Sequence, residues 1–420
     1  MTYSLIPGKI SHYINNNLLT KEEAYSLLSS FIEKSDNVRL RAQCIEELGK
    51  ISTKDRINFK ILENCLLSDE SPLIRSLAAQ YAFFCFPKSS LKPLKYLIYN
   101  EKSSYVLKNL LDFLKNHKNY YSERLIKELI DNLVKKYNLV PEESQFLLEI
   151  EALKNINSNM CFFKILKKEK FILDLDLAGQ KLTSIPKSIG ILLKLQNLNL
   201  WNNCLKTLPK SIGNLTNLKT LFLDWNNFSE IPNLKWDSLI SLEKLNLNNN
   251  SKLNNNIPQS LFKLAQKNFA RKYVEEGVIP SEAPVLSLLE FFAGMKLKKT
   301  EQIDHISSYY ACNYKLNNKG HVIGIYLFGY PIFQICIFPE QVCSLKYLEE
   351  LILRDQGIKN IPNKIGNLKS LKILDLMRNR VKTIPESMEK LENLEYVDIS
   401  ENNNIKVPEF LKSNDIDLWV

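Results

Sequence analysis

The residues able to carry covalent or metal chemistry are few and far apart. His12, His117, His305 and His321 are isolated from one another and from any cysteine pair. The eight cysteines are scattered along the chain without a single CxxC, so neither a zinc ribbon nor a dithiol redox centre is written there. No GxGxxG, GxxxxGK[ST], HExxH or GxSxG occurs, which removes the common phosphate cradles, zinc hydrolases and nucleophile elbows. Asp174 and Asp176 lie two apart and could join Asp224 around a cation, although that spacing on a strand more simply describes a solvated face. No cofactor and no metal are expected, and the chain reads as non-catalytic. What the sequence does offer is recognition chemistry: Trp201, Phe222 and Trp225, and further on Tyr326, Phe328, Arg354, Met377 and Arg378. Aromatic, methionine and arginine side chains gathered on a surface are the material of binding hot spots.

Whether these residues share a surface depends on the elements that carry them. From Ile172 the pattern I-x-x-L-x-L-x-x-Q-x-L repeats from Leu195 and Leu218 at a period of 23, and from Leu242 with one extra residue. A second block starts at Val322 and repeats from Leu348, Leu371 and Leu394. Prolines 186, 209, 232, 339, 362, 385 and 408 keep nearly the same step. Such a period means a solenoid, each unit burying its leucines against its neighbours. Because side chains alternate along a strand, the residues between the leucines turn away from the core. Written out, these columns place Asp176, Asn199, Phe222, Asn246, Tyr326, Ile352, Asp375 and Asp398 on the concave face. Two residues later come Ala178, Trp201, Asp224, Asn248, Phe328, Arg354, Met377 and Ser400, and next to those Gly179, Asn202, Trp225, Asn249, Gly329, Asp355, Arg378 and Glu401. The aromatic residues are then expected on a surface, and all eight candidates share one patch only if the two blocks stack.

The segments TSIPKSIGILLKL, KTLPKSIGNLTNL, KNIPNKIGNLKSL and KTIPESMEKLENL resemble the 23-residue type of the leucine-rich repeat family, in its intracellular, Ras-associated scaffold subclass. Gln180, Tyr330 and Gln356 depart from its asparagine position. The resemblance implies a curved solenoid with a parallel concave sheet that binds a protein, a small GTPase or another signalling protein being the implied class. Residues 20–154 lack the pattern. SDNVRLRAQCIEELGKI (35–51) and DESPLIRSLAAQYAFFCF (69–86) align with Val38-Arg39 over Ile74-Arg75, and EKSSYVLKNLLDFL (101–114) is a weaker copy. These resemble the HEAT-repeat family, an α-solenoid of helix pairs, and the combination is similar to archaeal-type proteins that join the two repeats.

The expected order is therefore a HEAT-like helical domain over 1–157, repeats 1–4 with an N-terminal cap over 158–264, an insert over 265–320, and repeats 5–8 with a C-terminal cap over 321–420. The insert reads as a helix ending at Gly277, a second helix between Ser281 and Gly294, and a hairpin turning at Asn317–Gly320 whose second strand opens the second block. Between Lys319 and Glu340 no formal charge occurs, but Gly324, Gly329 and Pro331 make this a poor membrane span. The first seventeen residues lack the form of a secretory signal, and the cysteines read as reduced thiols of a cytoplasmic monomer. The net charge of +10 falls from +6 over residues 1–170 to −2 over 321–420, a gradient and not a phosphate-binding patch. A basic adaptor whose helical half holds nucleic acid or anionic membrane is the alternative. A ubiquitin-ligase-like enzyme comes third.

Overall fold

The computed structural model of the chain describes residues 7–420 apart from 52–54, 155–163, 169, 251, 254–255, 294–295, 302–311, 329–334, 336 and 413–415. Two compact units divide the chain, Met1–Cys161 and Phe162–Val420.

Nine α-helices are present among the described residues of the first unit: α1 (Ile10–Asn15), α2 (Lys21–Lys34), α3 (Val38–Ile51), α4 (Arg56–Ser68), α5 (Pro72–Cys85), α6 (Leu91–Asn100), α7 (Ser104–Asn116), α8 (Tyr120–Tyr137) and α9 (Pro141–Lys154). Local chemistry sets their starts. Thr20 and Glu23 form a reciprocal capping box on α2, Asn119 caps α8, and Pro72 opens α5 where its missing N–H is no loss. α3 packs on α5, α5 on α7 and α7 on α9, while α4 packs on α6 and α6 on α8, giving the two layers of a helical solenoid. The internal register differs from the expected one. Arg75 pairs with Glu101 at 2.7 Å, and the residue that reaches the next acidic cap in the same way is Arg41, 3.2 Å from Asp69. Arg41, not Arg39, is the counterpart of Arg75, because the ion pair to the following helix start is what repeats.

The second unit begins with β1 (Lys164–Lys168), β2 (Phe171–Asp176), β3 (Asn197–Asn199), β4 (Thr220–Phe222) and β5 (Lys244–Asn246). They form one sheet in chain order, β1 pairing antiparallel to β2 and the rest parallel. After α10 (Gln259–Glu275) and α11 (Ala283–Ala293) come β6 (Lys298–Lys299), β7 (Cys312–Leu316), β8 (Val322–Phe328), β9 (Glu350–Arg354), β10 (Ile373–Asp375), β11 (Tyr396–Asp398) and β12 (Asp417–Trp419), forming a second sheet. All eight repeat units seen in the sequence place a strand where expected, and β7–β8 is the expected antiparallel hairpin.

Each coil closes by the same devices. Asn379 donates from Nδ2 to the carbonyls of Leu353 (2.7 Å) and Leu376 (2.8 Å) and accepts at Oδ1 from the N–H groups of Gln356 and Ile358. Asn203, Asn226, Asn250 and Asn402 bond in the same manner inside their own turns. Gln356 stands in for an asparagine, its Nε2 donating to Arg354 O at 3.0 Å and its Oε1 accepting from the Ile335 N–H. Tyr330 lies outside the described residues. On the convex side a proline precedes the short 3₁₀ turn, as Pro186 does for Lys187–Ile191, except at Trp236–Ser238, which follows Lys235. The glycine of the I-G pair is required there, since a Cβ on Gly190 or Gly366 would come 2.6 Å or 2.3 Å from the carbonyl oxygen of the next coil, Ser211 or Ser387.

The insert is not an appendage. Pro258 starts α10 where earlier coils begin their 3₁₀ turn, so α10 is a lengthened convex segment that runs through the expected boundary at residue 264. α10 packs on the preceding convex turn, and α11 packs on α10 and β5. All eleven residues of α11 are buried. Its Glu290 is held by Lys272, Tyr273 and the Leu297 N–H, which together satisfy the carboxylate away from water. Among the described residues the strands thus form two separate sheets within the unit, with no strand pairing between β5 and the second sheet. They meet in part where Lys359 Nζ donates to Asn250 O at 2.6 Å and Arg380 Nη2 donates to Asn249 Oδ1 at 3.2 Å. Among the described residues no helix is long and apolar enough to cross a membrane, and the uncharged stretch after Lys319 opens with strand β8.

Candidate functional site

Among the described residues, the ends of seven repeat strands turn out of the sheet through a left-handed residue. Gly179, Asn202, Trp225, Asn249, Asp355, Arg378 and Glu401 occupy the same place in their coils, with φ between +53° and +67°. Five of them point their N–H at the next coil: Gly179 to Trp201 O, Asn202 to Asp224 O, Trp225 to Asn248 O, Asp355 to Met377 O and Arg378 to Ser400 O, at 2.8–3.1 Å. The left-handed turn thus extends the parallel ladder by one bond and swings the side chain to the rim of the concave face. Glycine and asparagine adopt this conformation readily, and a bulky aromatic does not. Trp225 occupies it nonetheless.

In the first block the expected aromatics come together. Trp201, Phe222 and Trp225, with Asn199, Asp224, Asn246, Asn248 and Asn249, line a cleft of about 300 Å³. Trp201 is 43% and Trp225 54% exposed, although large apolar side chains are usually covered. Asn199 Oδ1 accepts the Trp201 N–H at 3.0 Å, which ties that turn to its strand. Phe222 is half-buried, and Lys244 Nζ rests 5.4 Å from its ring centroid.

Asp224, weighed in the sequence only as a cation ligand beside Asp174 and Asp176, is instead a wall of this cleft. It is 5% exposed, accepts the Asn248 N–H at 3.2 Å, and burial pushes its carboxyl up to about 6. Its position in the concave columns between Trp201 and Asn248 was the available signal. Because the folded state holds this proton up to about pH 6 and an unfolded aspartate only to about 4, stability tied to Asp224 is present below pH 4 and lost as pH rises through 6. Asp224→Asn keeps the acceptor for Asn248 and removes the buried charge. It should raise stability at pH 7.5 by about 2 kcal/mol, with the gain vanishing near pH 4 in thermal melts. An equal gain at both pH values would sink that account.

The second-block candidates are arranged differently. Tyr326, expected on the surface, is 1% exposed. Its ring lies along its own strand over Gly324, where a Cβ would meet the hydroxyl at 2.3 Å, and the hydroxyl donates to Glu350 at 2.7 Å. Arg354 pairs with the buried Asp375 and sits 5.9 Å from the Phe328 ring. Arg378 pairs with Glu401 at 2.9 Å, and Met377 is half-buried. Gly329 lies outside the described residues. The eight candidates thus divide into three that share an open cleft and five that do not join it, four of these tied into contacts of their own. Asp174 accepts from Asn197 at 2.6 Å and Asp176 from the Ala178 N–H at 3.0 Å, so both are occupied within the sheet. Among the described residues no group of three or more His, Cys, Asp or Glu could hold a metal. His305 lies outside them.

Two family models match the repeat-bearing part of the chain. The model of the leucine-rich repeat region matches residues 147–276, and that of the leucine rich repeat matches 346–405. No curated protein matches the chain. Among solved structures, a leucine-rich-repeat protein of Leptospira interrogans is 23% identical over 59% of this chain and 60% of that one, with a TM-score of 0.24. The leucine-rich-repeat ectodomain of the Arabidopsis thaliana receptor kinase GASSHO1/SCHENGEN3, in complex with CASPARIAN STRIP INTEGRITY FACTOR 2, is 21% identical over 60% of this chain and 30% of that one, with a TM-score of 0.24. The chain thus spans less than two thirds of either protein's length. With its two family matches, asparagine-lined coils and parallel strands behind an N-terminal helical repeat region, the chain is a leucine-rich-repeat protein.

Proposed function

We propose that the protein is a non-catalytic recognition scaffold that takes a protein partner on the concave face of its first repeat block. One observation carries this reading: three neighbouring coils deliver Trp201, Phe222 and Trp225 into one open cleft, two of them largely exposed. Leucine-rich-repeat domains generally mediate protein–protein interaction, and exposed tryptophan is the residue most enriched at binding hot spots. The resemblance to the Ras-associated subclass makes a small GTPase or another signalling protein the first class to try. The six described cysteines are free thiols, which supports the reading of a cytoplasmic protein.

The test is retention of partners from the native cell on immobilised full chain, compared with Trp201→Ala/Trp225→Ala and with Met377→Ala/Arg378→Ala. A partner lost with the first pair and kept with the second supports the first-block face. A partner lost only with the second pair, or kept by both, refutes it.

A further inference from the structure

We propose that the cleft holds a positively charged side chain, a guanidinium or alkylammonium, presented by the protein partner. This deepens the concave-face reading and rests on it. Of the eight lining residues only Asp224 is ionisable, and its charge is negative. Asp224 is 5% exposed and forms part of the cleft wall. Burial dominates its environment, and the Coulombic pull of Lys244 is the smallest of the influences on it. A desolvated carboxylate is an unfavourable arrangement that an incoming cation relieves.

The walls suit the same guest. Trp201 and Trp225 present open indole rings, the best aromatic partners for a cation. The chain's own Lys244 already rests on Phe222 and Arg380 donates to Asn249, so two of the cleft's walls are shown to accept cations. Of the lining amides, Asn199 Oδ1 already accepts the Trp201 N–H and Asn249 Oδ1 accepts from Arg380.

The experiment titrates the full chain with N-acetyl-arginine amide, with its neutral isostere N-acetyl-citrulline amide and with chitohexaose, following tryptophan fluorescence. Saturable quenching by the arginine probe is expected at millimolar concentration, about tenfold tighter than by citrulline. Asp224→Asn, a variant expected to fold at least as well, should bring arginine down to the citrulline value. Equal binding of the two probes, quenching by the oligosaccharide alone, no saturable response to arginine, or an Asp224→Asn protein that still discriminates would each overturn the inference. If partner capture fails with the Trp201/Trp225 variant but survives Asp224→Asn, the concave-face reading stands and the cationic anchor falls.

Discussion

Asn379→Leu is expected to destabilise the second unit by roughly 4 kcal/mol, the largest effect of any single substitution considered for this fold. Leucine is close to asparagine in size, so packing is nearly kept and hydrogen bonding is what changes. The 6%-exposed amide serves the Leu353 and Leu376 carbonyls and the Gln356 and Ile358 N–H groups. Leu376 O keeps the Asn402 amide as a donor, but Leu353 O and the two N–H groups lose this partner, at about 1–3 kcal/mol apiece before the coil relaxes. Asn217→Ala is the matched control. That exposed amide also bonds a carbonyl of the preceding coil, Leu193 O at 2.7 Å, yet water can replace it, and the loss should stay under about 1 kcal/mol. Urea unfolding of both variants measures the contrast. Similar midpoints for the two would show that the inner asparagines are not what closes the coils.

The second large effect concerns the two exposed tryptophans, which should be equal in binding and unequal in stability. Trp201→Asn and Trp225→Asn are each expected to weaken the partner by about thirtyfold or more. Trp201 has an ordinary backbone conformation, whereas Trp225 is left-handed with φ of +53°. Both side chains give up comparable covered surface when truncated, at 43% and 54% exposure. Only Trp225→Asn also relieves the backbone, by about 1 kcal/mol. Its melting temperature should therefore lie about 3 °C above that of Trp201→Asn. A lower melting temperature for Trp225→Asn would mean that the indole holds the turn together, and that the residue is structural before it is functional.

Much of this was legible because the repeat is a local signal. Leucine spacing sets strand register, so β2 to β5 and β8 to β11 could be placed residue by residue. The Asn317–Gly320 turn announced the hairpin for a similar reason, its chemistry lying within four residues. What escaped depends on neighbours distant in sequence. Arg41 is picked out by Asp69, 28 positions on, and not by its own helix pattern. Tyr326 obeys strand alternation and faces away from the leucines, but Gly324 on the same strand face leaves a hollow into which the ring lies. Columns written along a sheet show which face a residue takes and not what covers that face. Asp224 was in plain view, yet only its deeper burial distinguishes it from the half-buried Asp176 two coils earlier.

The wholly buried α11 has a consequence for how the chain is made. Strand β5 leaves the ribosome before the helix that packs against it, and about fifty residues separate Asn246 from the end of α11 at Ala293. At a synthesis rate of about 5–20 residues per second, the last strand of the first sheet waits several seconds with its apolar flank and unpaired backbone open to other chains. The most hydrophobic helix of the protein is therefore also the one whose delay sets the period of greatest exposure. A nascent chain halted shortly after Asn250 would hold four coils and no lid.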